Sequence, residues 1–187
     1  SNSGSSTQVA GLDITSTAGS LNVAGWTSIS DNADANDGGS FDGGSNWSIS
    51  SSTALQLTES ADSGAGGTLS ANTVNLGAAW LQSNIEDVFA TATLSGGGAT
   101  PVDVNFVGNG DAAFSRSDLN FDGTVNASDW PLFQAGTQFD MSGLSNAEAY
   151  RFGDLNGNLT NDYADFQLFY ADFVAVNGPA AFASLVP

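Results

Sequence analysis

The hydrophobic and polar positions of the chain change their spacing near residue 108. Before it, short apolar or alternating runs are interrupted roughly every eight to twelve residues by Gly, Ser, Asn and Asp. The alternation is clearest over residues 89–94, where FATATL places Phe, Thr and Thr on one face. The pattern predicts strands over residues 8–16, 20–29, 47–51, 54–59, 67–76, 87–94 and 101–107. About seven strands in this length indicate a β-sandwich such as a jelly roll.

After residue 108 the apolar residues recur at helical spacing. Helices are predicted over residues 127–135, 145–152 and 163–176. Ser145 and Glu148 form a capping-box pattern at the start of the second of these helices. A Gly-Pro pair after Asn177 is a stop signal for the third. The sequence therefore predicts an α+β chain in two parts, a β-sandwich domain over residues 1–108 and a small helical module over residues 109–187.

Two twelve-residue segments of the helical part have the pattern of EF-hand-type calcium loops. Such a loop takes oxygen ligands from positions 1, 3, 5, 7, 9 and 12, with a glycine at the sharp turn of position 6. Loop 1, residues 118–129, reads DLNFDGTVNASD, and loop 2, residues 154–165, reads DLNGNLTNDYAD. The predicted ligands of loop 1 are Asp118, Asn120, Asp122, Thr124, Asn126 and Asp129. Those of loop 2 are Asp154, Asn156, Asn158, Thr160, Asp162 and Asp165.

The charge within each loop supports the same prediction. Three carboxylates surround each site, and without a cation they repel one another at short range. The sequence thus predicts two Ca²⁺ ions with a structural role. Loop 1 has Gly123 at position 6, whereas loop 2 has Leu159 there and Asn161 at position 8, where an apolar residue is usual.

Composition excludes several classes of function. The chain has 20 acidic residues, two arginines and no lysine, histidine or cysteine, so its net charge is −18. This charge argues against binding to nucleic acid or to an anionic membrane surface. Disulfides, thiolate or imidazole metal sites and His-based catalysis are excluded. The three glutamates lie outside any recognisable catalytic signature, so we predict a protein that is not an enzyme, and no membrane span is predicted.

The acidic, glycine-rich segment 30–46 is the one part of the β domain that does not read as a strand. It carries a third candidate cation site at Asp31, Asp34 and Asp37, with a solvated loop as the alternative. Asn46 begins an Asn-X-Ser sequon in the same segment and is a candidate glycosylation site.

The duplicated segments DLNFDGTVNASDW and GDLNGNLTNDYADFQLF resemble the two calcium-binding repeats of dockerin domains. The resemblance covers residues 118–177 and implies a calcium-stabilised module that packs against another protein. It resembles in particular the repeats of secreted bacterial proteins that carry Pro-Glu-Pro sorting signals, which implies an extracellular or cell-surface location. Known dockerins bind cohesins through loop positions 10 and 11, often Ser-Thr, and here these positions are Ala127-Ser128 and Tyr163-Ala164.

Three functions are compatible with this sequence. The first is a structural protein of a surface or fibre, in which an N-terminal segment with Val9, Leu12 and Ile14 adds as a strand to a neighbouring copy. The alternative for that segment is an ordinary first strand of its own sheet. The second function is a carbohydrate-binding module that uses Trp26, Trp47 or Trp80 to bind a polysaccharide. The third is a cohesin-binding dockerin on a secreted scaffold.

Overall fold

The computed structural model describes residues 7–31, 41, 46–62, 66–69 and 74–186. The chain forms two compact units. Unit 1 consists of Ser1–Thr17, Leu21–Leu81 and Asp87–Val104, and unit 2 consists of Ala18–Ser20, Gln82–Glu86 and Asn105–Pro187. The sequence carried no signal that the two short segments 18–20 and 82–86 belong to the helical unit.

The described part of unit 1 is built on one six-stranded antiparallel sheet, which confirms the mixed, mostly β character of the chain. The strands are β1 (Thr7–Ser16), β2 (Trp47–Ser52), β3 (Gln56–Ala61), β4 (Gly67–Leu69), β5 (Val88–Leu94) and β6 (Gly98–Val102). Their order is β2-β3-β1-β5-β6, and β4 pairs with the start of β1. Strand β1 is therefore central, with β3 and β4 on one side and β5 on the other.

Four predicted strands are confirmed to within about two residues at each end, namely those that became β1, β2, β3 and β5. The strand predicted over residues 20–29 is wrong, because the chain turns back at Asn22. The Asn22 carbonyl accepts hydrogen bonds from the backbone N–H groups of Gly25 and Trp26. Only two isolated bridges remain there, from Leu21 to Trp80 and from Trp26 to Gly77. The last strand begins at Gly98, three residues before its predicted start.

The apolar face of the sheet is covered by irregular segments in the described part of the chain. Ile29 and Phe41, which lie outside the strands, pack with Val9 of β1 and Trp47 of β2. A second cluster joins Leu21 to residues of β1, β3 and β5. The described residues thus contain one sheet and its covering loops, and the second sheet of the predicted sandwich is not among them.

A buried carboxyl group lies within this apolar face. Glu59 of β3 is almost inaccessible, and its Oε2 accepts hydrogen bonds from the N–H groups of Ile29 (2.7 Å) and Ser30 (3.3 Å). Burial raises the pKa of Glu59, and the two backbone hydrogen bonds oppose that rise. The carboxyl group therefore ties the start of the acidic segment 30–46 to the sheet.

Unit 2 contains four short helices in its described residues: α1 (Trp130–Gly136), α2 (Asn146–Tyr150), α3 (Tyr163–Asn177) and α4 (Pro179–Ala183). The predicted capping box at Ser145 and Glu148 is confirmed at the start of α2. Gly178, with φ of 82°, ends α3 as predicted. Helix α4 was not predicted, because Pro179 reads as a stop signal but also fits the first position of a helix. Among the described residues, no helix has the length and apolar content that crossing a membrane requires.

One apolar core joins the two halves of unit 2, of which the first contains loop 1 and α1 and the second contains loop 2 and α3. It contains Phe133 of α1, Phe169 and Phe173 of α3 and Phe182 of α4. The rings of Phe133 and Phe169 are 4.9 Å apart between centroids. Residues of both predicted calcium loops enter the same core: Leu119, Val125 and Leu155. The apolar positions of the loops thus anchor them to the helices that follow.

Candidate metal centre

Loop 1 is folded around two buried carboxylates. Asp118, at position 1, accepts hydrogen bonds from the N–H groups of Asp122 (3.2 Å) and Gly123 (2.8 Å). Asp129, at position 12, accepts from the N–H groups of Leu119 (2.8 Å), Asn120 (3.1 Å) and Asn126 (2.8 Å). Both side chains have no measurable exposure. The loop backbone therefore wraps around the first and last predicted ligands.

Loop 2 repeats these hydrogen bonds and adds one. Asp154 accepts hydrogen bonds from the N–H groups of positions 5 and 6, at 3.0 and 2.7 Å, and also from that of Gly157 at position 4, at 2.8 Å. Asp165 accepts from those of positions 2, 3 and 9, at 2.8, 3.0 and 2.9 Å. The side chains of Asp154 and Asp165 are also buried. The substitutions that set loop 2 apart from the usual pattern thus leave its backbone fold unchanged.

Positive φ angles occur at positions 4 and 6 of both loops. In loop 1, Phe121 has φ of 59° at position 4 and Gly123 has 89° at position 6. In loop 2 the residue types are exchanged, with Gly157 at 79° and Leu159 at 63°. A residue with a Cβ is strained by about 1–2 kcal/mol in this region. Each loop therefore holds one strained residue and one glycine, so the missing glycine at position 6 of loop 2 is replaced by one at position 4.

The remaining predicted ligands of loop 1 are held side by side by their own hydrogen bonds. Asp122 accepts hydrogen bonds from the Asn120 amide (2.9 Å) and the Thr124 hydroxyl (2.7 Å). The Asn126 amide donates to the Thr124 hydroxyl oxygen at 2.8 Å. The donor set is entirely oxygen, as a hard cation such as Ca²⁺ requires, and each oxygen has lone pairs beyond those used here. The residues present therefore fit a calcium ion.

Half of each donor set consists of two side-chain amide oxygens and the backbone carbonyl oxygen of the threonine at position 7. In the part of the chain that the structure describes, no group of three or more His, Cys, Asp or Glu side chains is close enough to hold a metal ion by itself. The carboxylates are turned toward backbone N–H groups, as set out above. A cation in these loops would thus depend on amide and backbone oxygens as well as on carboxylates.

The electrostatics of the loops differ between buried and exposed carboxylates. Burial raises the pKa of Asp118, and the charge of Asp129 adds to the rise. Burial likewise raises the pKa of Asp165, with the charge of Asp154 adding to it. The pKa of the exposed Asp122 is lowered, first by the hydrogen bond from the Thr124 hydroxyl. The buried carboxylates are therefore the ones that a bound cation would stabilise in the charged form.

We expect the metal-free protein to lose stability as the pH rises from about 4 through the raised pKa values of Asp118 and Asp165. In that window the folded state keeps protons that the unfolded state releases, so the free energy of unfolding falls with pH. Calcium replaces those protons, so the stabilisation by calcium should grow over the same window. Thermal unfolding at a series of pH values measures how stability changes with pH, once in chelator and once in calcium. Parallel slopes under the two conditions would contradict this assignment.

A salt bridge that sequence reasoning missed fixes the entry to loop 1. The Arg116 guanidinium donates two hydrogen bonds to Asp172 of α3, at 2.9 and 2.8 Å. The Ser117 hydroxyl donates to the same carboxylate at 2.7 Å. The Tyr150 hydroxyl of α2 donates to the Arg116 carbonyl oxygen. The only feature of the sequence that singled out Arg116 is that arginine is scarce in this acidic chain.

The other predicted site residues are placed in unit 1. The Asp31 carboxylate accepts a hydrogen bond from the Ser28 hydroxyl at 2.8 Å. Its proposed partners in a third cation site, Asp34 and Asp37, lie outside the described residues. Asn46 has an exposed side chain next to β2. The third cation site therefore stays a prediction.

The tryptophans considered for carbohydrate binding differ in how far they are buried. Trp47 is in the core of unit 1, packed edge-on against Phe41 with ring centroids 5.4 Å apart. Trp26 and Trp80 are partly buried. Trp26 packs against the second apolar cluster of the sheet.

Comparison of the chain with models of known protein families, with curated proteins and with solved structures finds no match.

Proposed function

We propose that this protein is a non-enzymatic, calcium-binding structural protein that contacts other protein domains at a cell surface or outside the cell. The observation that carries the proposal is the repetition in both loops of one hydrogen-bond pattern around the carboxylates of positions 1 and 12. Both loops therefore hold the carboxylates of their first and last ligand positions in the same backbone environment.

We propose in addition that unit 2 is a dockerin-like module. Each of its loops is followed directly by a helix, α1 after Asp129 and α3 within the last residues of loop 2. Calcium would be held in loop 1 by the predicted ligands Asp118 to Asp129 and in loop 2 by Asp154 to Asp165. The ion supplies positive charge that offsets the repulsion among the carboxylates, and the chain supplies the oxygen ligands and the apolar anchors of each loop.

The edges of the described sheet support an assembly role for unit 1. Strands β2 and β6 are the edge strands, and neither contains a charged residue. All five residues of β6 are exposed, and Phe89 on the neighbouring strand is 54% exposed. Protein edges that avoid pairing carry charges, a proline or a β-bulge, or are covered; these two lack charges, although β6 contains Pro101 and β2 has a register shift between Ile49 and Ser51. We therefore propose that copies associate through these edges, in a fibre or a surface layer.

In this proposal β1 stays in its own sheet. It is hydrogen-bonded on both sides by β3, β4 and β5. The N-terminal segment is therefore an ordinary strand of its own sheet and does not add to a neighbouring copy. Association would use β2 or β6 instead.

Cohesin binding is a second candidate, and one observation favours it. Positions 10 and 11 of both loops are exposed, including Tyr163 at 71%. A partner that recognises these positions would meet Ala127-Ser128 on one loop and Tyr163-Ala164 on the other. Tyr163 belongs to unit 2 and the sheet edges belong to unit 1, so the two candidates make different predictions for variants of Tyr163 and of β6.

Equilibrium dialysis against calcium tests the metal proposal, and we expect two ions per chain. Electron microscopy of the same samples tests the assembly proposal, and we expect ordered polymers in calcium that shorten or disappear after chelation. A chain that binds no calcium at saturating concentration would overturn the first proposal. Monomers alone at high protein concentration in calcium would overturn the second.

A further inference from the structure

We infer that the two loops bind calcium cooperatively, and that the side-chain amide of Asn161 is the main link between them; this inference rests on the calcium-binding function proposed above. Asn161 lies at position 8 of loop 2, which is not a predicted ligand position, and it is 9% exposed. Its Nδ2 donates a hydrogen bond to the Phe133 carbonyl oxygen at 2.8 Å and to the Phe152 carbonyl oxygen at 2.9 Å. One amide group therefore joins loop 2 to two other segments.

The Phe133 carbonyl belongs to the half of unit 2 that carries loop 1. Helix α1 begins at Trp130, directly after the last ligand position of loop 1, Asp129. The Phe133 N–H donates to the Asp129 carbonyl oxygen at 3.0 Å, so the helix continues from the loop without a break. An ion that fixes the Asp129 carboxylate would thereby fix the acceptor that Asn161 uses.

The Phe152 carbonyl lies at the entry to loop 2, two residues before Asp154. Asn161 thus closes loop 2 on itself while it holds α1. The space around the amide is small, because a Cβ on Gly153 would overlap the Asn161 Nδ2 atom, and a Cβ on Gly136 would overlap the Phe152 carbonyl oxygen. An apolar side chain at position 161 would leave both carbonyl groups without this donor, and a buried acceptor without a donor is destabilising.

A second amide makes the reciprocal contact. Asn177, at the end of α3, donates from Nδ2 to the carbonyl oxygen of Val125 at 2.8 Å. Val125 is at position 8 of loop 1, and α3 is the helix that follows loop 2. Each loop is therefore held at position 8 by contacts with the other half of the unit. Asn177 is more exposed than Asn161, so we expect its link to be the weaker of the two.

The consequence is a coupling free energy between the two sites. Filling one loop orders the acceptor or donor that the other loop needs, so the second ion meets a loop whose ordering cost is reduced. Coupling between two sites in one protein is typically about 5- to 150-fold in affinity, and it is reciprocal. We expect the wild-type protein to lie within that range.

The experiment is a calorimetric calcium titration of the full chain and of two single-loop variants. Asp122→Ala disables loop 1 and Asn158→Ala disables loop 2, each at the exposed position 5 of its loop. For independent loops, the constant for filling both sites in the wild type equals the product of the two single-loop constants. The coupling factor is the wild-type constant for filling both sites divided by the product of the two single-loop constants. We expect it to be at least about five.

The same three titrations are then repeated in an Asn161→Leu background. We expect the coupling factor to fall to about one, while a residue with only a structural role would weaken both loops and leave the ratio unchanged. Asn177→Ala gives an intermediate ratio and serves as the test if Asn161→Leu does not fold. Asn146→Ala, an exposed asparagine of α2 outside both loops, is the matched control and should keep the wild-type ratio.

Each outcome has a distinct meaning. A wild-type protein that binds no calcium would overturn the proposed function itself. Two ions bound with a coupling factor of one in the wild type would overturn the cooperativity and leave the calcium-binding function intact. A factor above five that neither Asn161→Leu nor Asn177→Ala reduces would overturn the assignment of the link to these amides.

Discussion

Chelation of calcium is expected to lower the free energy of unfolding of unit 2 by about 2.7 kcal/mol for each loop, when the ion was present at 100 times its dissociation constant. The reason is that only the folded loops gather six oxygen ligands, so the binding free energy stabilises the folded state. Burial of Asp118 and Asp165 adds to the effect, because these groups are costly to keep charged without a cation. A loss of this size is a large fraction of the stability of a small domain.

Hydrogen exchange of backbone amides, in calcium and in chelator, measures this loss residue by residue. We expect protection from hydrogen exchange to fall at the N–H groups that donate hydrogen bonds to the loop carboxylates, such as those of Leu119 and Leu155. We expect it to change little in strands β1 and β3. Asp129→Asn should reproduce the effect for loop 1 in the presence of calcium, since it removes a negative charge and turns one of the two oxygens that accept three backbone N–H groups into an amide nitrogen that cannot accept.

Asp140→Asn is the control for that variant. Asp140 is an exposed carboxylate of the same unit, outside both loops, and its hydrogen bond from the Ser142 N–H tolerates an amide oxygen. We expect its calcium affinity and stability to match those of the wild type. Equal losses for Asp129→Asn and Asp140→Asn would show that general charge, and not ligation, underlies the effect of chelation.

Gly136→Ala is expected to destabilise unit 2 by about 1–3 kcal/mol or more. Alanine is ordinarily favoured over glycine in a helix by about 1 kcal/mol, so helix α1 alone predicts the opposite sign. The structure decides between the two, because a Cβ at this position would overlap the backbone carbonyl oxygen of Phe152. A backbone atom cannot move away by changing a rotamer, so α1 would have to shift from the end of α2 and weaken the contact of Asn161 with Phe133.

Equilibrium unfolding in denaturant, with calcium present, measures the change. Gly98→Ala is the matched control, since a Cβ at Gly98 meets no atom within 4 Å and its φ angle is not positive. We expect Gly98→Ala to be neutral or slightly stabilising. A Gly136→Ala protein at least as stable as the wild type would show that α1 and α2 do not approach each other this closely.

The sequence could predict the features that depend on residues close together in the chain. The two loops, the Ser145 capping box and helix α3 all follow from contacts made within about twelve residues. The strands that became β1, β2, β3 and β5 follow from alternation and from nearby turn residues. In each case the physical signal is local, so one sequence without relatives is sufficient.

Only the tertiary structure decided the features that depend on distant residues. Asn161 reads as a defect in a calcium loop, yet it reaches the carbonyl groups of Phe133, 28 residues away, and Phe152. Arg116 is paired with Asp172, 56 residues later. The acceptor of a buried donor is set by how the helices pack, and no spacing along the chain encodes it. The sequence by itself determined the two loops in which we propose that calcium is held, and the packing of the helices determined that the two loops are joined.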